Sequence, residues 1–162
     1  MGIKYDIRDC MRLTTKGRYA VTAMIDIALH SDVGPVSVLE ISRRQDISAA
    51  YLEQIIRKLK LAGLLNSVRG PGGGYVLGRG SDSISVSKVI QAVGEGVDVT
   101  LCHGSSDCQD GERCLTHDLW AELSTEIDDF LAGISLAQLI DKPRVKTIAL
   151  RQNDQLIDAR LV

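Results

Sequence analysis

Three cysteines and one histidine lie close together in the second half of this 162-residue chain. Cys102, Cys108, Cys114 and His117 follow the spacing C-x5-C-x5-C-x2-H, and the chain has only one other cysteine, Cys10. Thiolate sulfur is a soft, anionic ligand for iron or zinc, and a neutral imidazole can replace one thiolate. These four residues are therefore candidate ligands of a metal ion or an iron–sulfur cluster.

The spacing favours an iron–sulfur cluster over a structural zinc ion. A structural zinc site usually has two tight pairs of the C-x2-4-C or H-x3-5-H type, whereas two five-residue gaps form a wider loop that suits a bulkier group. An imidazole among thiolates would raise the reduction potential of such a cluster. Zinc and a set of unrelated thiols remain alternatives, and a disulfide is disfavoured in a cytoplasmic protein.

The predicted surroundings of the cysteines bear on which side chains could bind the metal. Cys114 and His117 lie three residues apart where a helix is predicted to begin, so we expect them to share one face. His103, next to Cys102, is a rival nitrogen ligand, although adjacent residues rarely both reach one metal. A catalytic cysteine lacks support, because no oriented base accompanies any of the thiols.

Two predicted helices flank the cysteine loop. Residues 86–93 (VSKVIQAV) predict a short helix before it, and residues 115–135 predict a long amphipathic helix after it. The apolar face of the long helix lies opposite Glu122, Glu126 and Asp129, and it consists of Trp120, Leu123, Ile127, Phe130, Leu131 and Ile134. Such a stripe must be covered, and a two-fold partner helix is the predicted cover. The alternative is that the helix folds back on its own N-terminal domain.

The first half of the chain predicts a helix-turn-helix. A first helix begins at Thr14 or Thr15 and ends before Gly34-Pro35; its apolar positions are Val21, Met24, Ile25, Ala28 and Leu29. Residues 36–45 predict a second helix, in which Val38, Leu39 and Ile41 can face inward. After a turn at 46–48, a third helix carries an apolar stripe of Leu52, Ile55, Ile56 and Leu59 and ends near Gly63. Two short helices joined by a tight turn are typical of DNA-binding domains.

A glycine-rich hairpin follows the third helix. Residues 65–69 predict a strand, residues 70–74 (GPGGG) a slim tip, and residues 75–77 a second strand. This is the pattern of a wing, and Arg69 at its base could enter a minor groove. The glycines match neither a P-loop nor a dinucleotide-binding fingerprint. The fold class predicted is mainly α with a small β-hairpin: a winged helix-turn-helix plus a long dimerisation helix.

Charge and composition support this interpretation. Residues 1–80 contain 12 Lys and Arg against 7 Asp and Glu, whereas residues 81–162 contain 7 against 14. A basic front half would attract a polyanion and an acidic back half would avoid it, although ordinary solvated surface remains an alternative. The hydrophobic content of 44% can build a core. No apolar run is long enough to span a membrane, and residues 1–10 lack the features of a secretory signal, so we expect a cytoplasmic protein.

The order of four motifs carries a resemblance. With MRLTTKGRYAV, YLEQI, SVRGPGGGY and the cysteine–histidine motif in one order, the chain resembles a family of dimeric winged-helix bacterial repressors over residues 11–140, and within it the regulators that sense iron–sulfur clusters. The resemblance implies a 2Fe–2S cluster on Cys102, Cys108, Cys114 and His117. It also implies homodimers that bind double-stranded DNA operators, repression of cluster-assembly genes, promoter choice set by cluster occupancy, and the cluster-assembly machinery as cluster donor.

The same resemblance implies a set of DNA contacts. Glu53 occupies the family's specificity switch, and its carboxylate would be repelled by acceptor-rich base edges. The alternative for Glu53 is an i,i+4 surface pair with Arg57 worth about 0.3–0.5 kcal/mol. The full predicted DNA-binding set is Tyr51, Glu53, Gln54, Arg57, Ser67, Arg69 and Pro71. Ala50 departs from the family, which often has a DNA-contacting serine there.

The predicted organisation is an extension (1–10), a winged helix-turn-helix domain (11–80), a linking helix and cluster loop (81–118), a dimerisation region (115–142) and a polar tail (143–162). The predicted function is a cluster-sensing transcription factor and not an enzyme. Three alternatives stay open. A nitric-oxide-sensing repressor of the same family is opposed by His117, and an iron–sulfur redox protein is opposed by the wing and the basic helix. A zinc-stabilised DNA-binding protein would be colourless.

Overall fold

The computed structural model describes residues 13–160, so the predicted extension at 1–10, with Cys10, lies outside the described residues. The elements in chain order are α1 (Thr15–His30), α2 (Val38–Gln45), α3 (Ala49–Leu61), β1 (Leu65–Val68), β2 (Gly74–Leu77), α4 (Val86–Ala92), α5 (His117–Ala132), α6 (Leu136–Ile140) and α7 (Pro143–Arg160). The predicted fold class, mainly helical with one small hairpin, is confirmed. None of the described helices combines the length and apolarity needed to cross a membrane.

Helix α1 is the central helix of the N-terminal core. It begins after Thr14, whose hydroxyl accepts a hydrogen bond from Lys16 N at 3.2 Å, as an N-cap side chain does. The face that the protein buries most deeply is formed by Ala20, Ala23, Met24 and Ile27. The predicted positions Val21 and Ile25 lie at the edge of this face and are only partly buried.

Helices α2 and α3 form the predicted helix-turn-helix. A capping box between Ser37 and Glu40 begins α2, and Asp46 in the left-handed conformation (φ 52°) ends it. Leu39 was expected to face inward, but its side chain is 59% exposed, because it lies two positions before the buried Ile41 and therefore on nearly the opposite side of α2.

Helix α3 packs through Leu52, Ile55, Ile56 and Leu59, all fully buried as predicted. It ends in a Schellman motif: Gly63 (φ 71°) donates to Lys60 O and Leu64 donates to Leu59 O, each at 3.0 Å. The predicted role of Gly63 is therefore confirmed, because only glycine takes this conformation without a steric cost.

The wing is an antiparallel hairpin in which Leu65 pairs with Leu77 and Val68 with Gly74. Val36, just before α2, pairs with the hairpin through an isolated β-bridge, since Val36 and Tyr75 exchange backbone hydrogen bonds of 2.9 and 2.8 Å. A Cβ at Gly74 would lie 2.5 Å from the Val36 carbonyl. Glycine is required there because the two backbones approach so closely, and the wing is thereby tied to the start of α2.

Helices α4 and α6 pack against α1. Ser87 on α4 donates to Asp128 on α5 at 2.6 Å, and α5 packs mainly against α4. Helix α5 ends at Ala132, earlier than predicted, with Gly133 as its cap. Ile134 therefore does not belong to the helix face; its carbonyl accepts from Val86 N at 2.9 Å.

The sequence analysis did not predict α7, which occupies most of the region described there as a polar tail. Ala149 is buried, Gln152 hydrogen-bonds Gln45, and Asn153 Oδ1 accepts from His30 Nε2 at 3.0 Å. His30 thereby forms a contact between α1 and α7. Beside it, Asp26 is fully buried and forms an ion pair with Arg44 at 2.6 Å.

Candidate metal centre and nucleic-acid interface

The loop that carries the cysteines, residues 93–116, is folded by its own side chains. The Asp98 carboxylate accepts hydrogen bonds from Thr100 N at 2.8 Å and from the Thr100 hydroxyl at 2.6 Å. The Thr100 oxygen in turn accepts from Gly104 N at 2.8 Å. His103, Ser106 and Asp110 adopt positive φ angles of 50–64°, which turn the chain sharply at each position. Local hydrogen bonds and turns thus bring distant cysteines together.

The predicted ligands Cys102, Cys108 and His117 form one compact group. The distance from His117 Nδ1 is 3.4 Å to the Cys102 sulfur and 3.3 Å to the Cys108 sulfur. All three donor atoms lie within 4.8 Å of one another. The imidazole is buried, and its Nε2 atom lies 3.3 Å from the Ser106 hydroxyl. A partner on the second ring nitrogen fixes the orientation of a ligating histidine.

These distances fit tetrahedral metal coordination. With metal–sulfur bonds of about 2.3 Å and metal–nitrogen bonds of about 2.0–2.1 Å, neighbouring sulfur and nitrogen ligands lie about 3.5 Å apart. The imidazole nitrogen therefore lies at the distance from each sulfur that ligands sharing a metal atom would have. Their chemistry, soft sulfur with one nitrogen, suits zinc or iron.

The fourth predicted ligand, Cys114, is not part of the compact group among the described residues. Its sulfur lies 3.8 Å from the Thr116 hydroxyl, and its thiol also interacts with that of Cys108. The expectation that Cys114 and His117 share a helix face is wrong, because α5 begins only at His117. His103 is exposed and lies outside the group, so the nitrogen donor here is His117.

The three thiols differ in acidity. Burial alone would raise the pKa of the Cys102 thiol, but hydrogen bonds from the Ser106 backbone and from the Cys108, Thr100 and His117 side chains outweigh it and lower the pKa to about 6. The backbone of Thr116 lowers the pKa of Cys114. For Cys108 the backbone of Cys114 lowers the pKa, but desolvation and the two neighbouring thiols outweigh it and raise it.

The structure presents most of the predicted DNA-binding side chains to solvent. Glu53, Gln54 and Arg57 are exposed on α3, and the described residues include no ion pair between Glu53 and Arg57. Tyr51 is half-buried because its ring packs edge-on against Tyr19, with centroids 5.9 Å apart. Because Glu53 does not pair with Arg57, its carboxylate is available for contact with a base edge.

The wing residues Ser67, Arg69 and Pro71 are exposed as well. Lys60 on α3 donates to the Ser67 hydroxyl at 2.9 Å, so the recognition helix and the wing are connected by one side-chain contact.

Sequence reasoning missed the supporting roles of Thr100 and Ser106 at the metal centre. Both are ordinary loop residues with no period or motif, and only the folded loop reveals their partners.

Comparison with known proteins assigns the family. The profile of the family Rrf2, described as "Iron-dependent Transcriptional regulator", matches residues 13–142. The chain belongs to the Rrf2 family. Among similar Rrf2 relatives, the HTH-type transcriptional regulator IscR of Erwinia tasmaniensis is 57% identical, over 91% of this chain and 89% of its own length. That of Aliivibrio salmonicida is 58% identical, over 93% and 88%.

Solved Rrf2-type structures have the same fold. The IscR structure from T. potens is 38% identical, with a TM-score of 0.67 over 80% of this chain and 85% of that one. The structure of CymR, the global cysteine regulator of B. subtilis, is 31% identical, with a TM-score of 0.69 over 80% and 95%. The Rrf2 assignment makes this protein a transcriptional regulator, which agrees with the function predicted from its motifs.

Proposed function

We propose that this protein is a homodimeric, DNA-binding transcription factor that senses iron–sulfur clusters and is not an enzyme. The observation that supports the proposal most directly is the compact group of Cys102, Cys108 and His117 in a chain that also carries an exposed wing and recognition helix. The identity to IscR proteins supports the same assignment. Neither the nitric-oxide-sensing nor the electron-transfer alternative is favoured by any observation on this chain.

The proposed cofactor is a 2Fe–2S cluster held by Cys102, Cys108, Cys114 and His117. When bound, such a cluster supplies a one-electron redox centre that its ligands tune. The protein supplies three thiols of different acidity, a buried imidazole and the Ser106 hydroxyl that orients it. Cys114, whose thiol interacts with that of Cys108, would complete the ligand set.

The proposed DNA interface consists of α3 and the wing, with Tyr51, Glu53, Gln54, Arg57, Ser67, Arg69 and Pro71 as contacts. In a two-fold dimer, two such helices enter major grooves about one helical turn or a multiple apart. Cluster occupancy would decide which operators are bound, with repression of cluster-assembly genes as feedback and the assembly machinery as cluster donor. Such a regulator acts in the cytoplasm, where its operators lie.

The proposed division of the chain follows from these roles. Residues 11–80 bind DNA, residues 81–118 hold the cluster, and residues 115–142 provide the dimer interface. We add α7 to the proposed DNA-binding part, and the contacts of this helix with α1 and α2 support that addition.

The test is DNA binding by the full chain under anaerobic conditions, with and without a cluster reconstituted from ferrous iron and sulfide. Duplexes are first selected from a random-sequence library by each form of the wild-type protein. We expect a brown protein with visible absorption, and two duplex classes whose relative affinity changes when the cluster is added. A colourless protein that binds zinc and the same duplexes in both forms would contradict the proposal.

Ligand variants complete the test. Replacing Cys102, Cys108 or Cys114 by Ala abolishes the visible absorption but leaves dimerisation and part of the DNA binding, because the helical core does not depend on the loop. The matched control is Cys10→Ala, which we expect to keep the absorption. Unfolding of all three loop variants would instead indicate a structural metal.

A further inference from the structure

A short segment joins the metal centre to the DNA-binding helices. We call residues Val93–Thr100, between α4 and the first ligand Cys102, the coupling segment. At its first residue, Val93, the carbonyl accepts a hydrogen bond from Lys58 Nζ at 3.2 Å. Lys58 belongs to α3, so the recognition helix itself contacts this segment.

Glu95 provides the second contact of the coupling segment. One of its carboxylate oxygens accepts from Gly17 N at 2.9 Å, and the other accepts from the Thr14 hydroxyl and lies 3.6 Å from Lys16 Nζ. The side chain is only 8% exposed. A carboxylate is stabilised at the N-terminus of a helix by unpaired N–H groups and by the helix dipole. Glu95 is therefore a buried anchor on the first turn of α1.

The sequence of α1 leaves space for this anchor. A Cβ at Gly17 would lie 2.5 Å from Glu95 Oε2, so any larger residue at that position would displace the carboxylate. Gly17 is an unfavourable residue in a helix, and its helical φ gives it no conformational reason to be glycine. The close approach of Glu95 accounts for it.

The other end of the coupling segment is attached to the metal centre. Thr100 lies two residues before the ligand Cys102, and its hydroxyl accepts from Gly104 N at 2.8 Å on the other side of that cysteine. Val99 N donates to the Ser124 hydroxyl on α5 at 2.9 Å. Eight residues therefore connect α3 and α1 at one end with a metal ligand and α5 at the other. A displacement of Cys102 on cluster binding would therefore act on this segment.

We propose that Glu95 is the positioning residue that transmits occupancy of the cysteine–histidine centre to the DNA-binding helices. The inference rests on the proposed function and deepens it. With Glu95 attached to α1, a displacement of the loop moves the first turn of α1 and, through Val93 and Lys58, α3. Without this attachment the loop can rearrange while the helices stay in place, so cluster binding and DNA binding become independent.

The experiment measures one ratio: the affinity for the cluster-dependent duplex with the reconstituted cluster, divided by the affinity without it. We expect Glu95→Ala to reduce this ratio about fivefold or more, within the usual range of coupling between sites, while the visible spectrum of the cluster is unchanged. Glu95→Gln keeps most of the ratio because its amide oxygen still accepts from Gly17 N. The matched control Glu126→Gln, an exposed residue of α5, leaves the ratio unchanged.

Gly17→Ala is the second variant, and it tests the coupling role of Glu95 even if Glu95→Ala does not fold. It removes no polar group and improves helix propensity by about 1 kcal/mol, so we expect a folded protein whose ratio falls as in Glu95→Ala. An unchanged ratio in Gly17→Ala and in any folded Glu95→Ala would overturn the inference and leave the proposed function standing. A ratio near one in the wild-type protein would instead contradict the proposed function itself.

Discussion

His117 organises the metal centre at the residue scale. Its Nδ1 atom faces two sulfur atoms and its Nε2 atom faces the Ser106 hydroxyl, all within 3.4 Å. Because the ring is buried at the first turn of α5, a rigid helix holds the nitrogen donor while the cysteines come from the loop.

The thiols of the metal-free protein should react at different rates with iodoacetamide. The pKa of Cys102 is lowered to about 6, so most of this thiol is thiolate at pH 7, whereas the pKa of Cys108 is raised and it stays protonated. Mass spectrometry after short labelling should find Cys102 modified first, with a rate that falls as the pH is lowered through 6. Faster labelling of Cys108 would show that the order of acidity is reversed.

The ion pair between Asp26 and Arg44 should be a large single contribution to stability. Asp26 is fully buried and also accepts from Gln45 at 2.7 Å. Asp26→Ala leaves a buried guanidinium without its partner, which typically costs about 3–5 kcal/mol. Urea unfolding measures the change, and the exposed Asp154→Ala on α7 is the control, with an expected effect within about 0.5 kcal/mol. Equal stability of the two variants would contradict this role.

At the element scale, the recognition helix and the wing act as one surface. The wing is tied to α2 through Val36 and Tyr75 and to α3 through Lys60 and Ser67. These contacts fix the angle between hairpin and helix, so both can contact one duplex at the same time.

Arg69→Ala tests the wing as a DNA contact. We expect weaker binding to every duplex and a salt dependence reduced by about one charge, since a phosphate or minor-groove contact is lost. Binding is titrated at several salt concentrations, with Arg151→Ala on α7 as the control because that side chain is also exposed. Unchanged affinity for Arg69→Ala at physiological salt would exclude the wing as a contact.

The sequence predicted the helices that bury a whole apolar face, and it did not predict the helix that buries little of its surface. Helices α1 and α3 bury whole faces, so their apolar periods stand out in the sequence. Helix α7 buries Ala149 but leaves Leu150 67% and Ile148 37% exposed, and its hydrogen bonds to α1 and α2 are made by the amide side chains of Asn153 and Gln152. A helix held in this way has no clear apolar stripe.

At the scale of the whole molecule, a single chain leaves much of the apolar face of α5 exposed to solvent. Within the described residues, α5 packs mainly on α4, and Trp120, Leu123 and Phe130 remain exposed, while Ile127 and Leu131 are half-buried. The alternative that this helix folds back onto the winged domain finds no support. A second copy of the chain stays the predicted cover.

Phe130→Glu tests that assembly. Phe130 and Leu150 are both 67% exposed in the single chain, so Leu150→Glu on α7 is a control of equal exposure. If α5 forms the dimer interface, Phe130→Glu buries a charge there and yields monomers at concentrations where Leu150→Glu stays dimeric. Light scattering or sedimentation gives the mass, and a dimeric Phe130→Glu protein would place the interface elsewhere.

Residue type and spacing by themselves determined the helix-turn-helix, the wing, the cysteine–histidine motif and the long amphipathic helix, because each is a local pattern with a short period or a motif. Only the tertiary structure decided that Cys114 lies outside the compact ligand group, that α7 packs against α1 and α2, and that Glu95 reaches the first turn of α1. These contacts join residues up to 123 positions apart. Such pairs depend on how elements pack, which local periodicity does not encode.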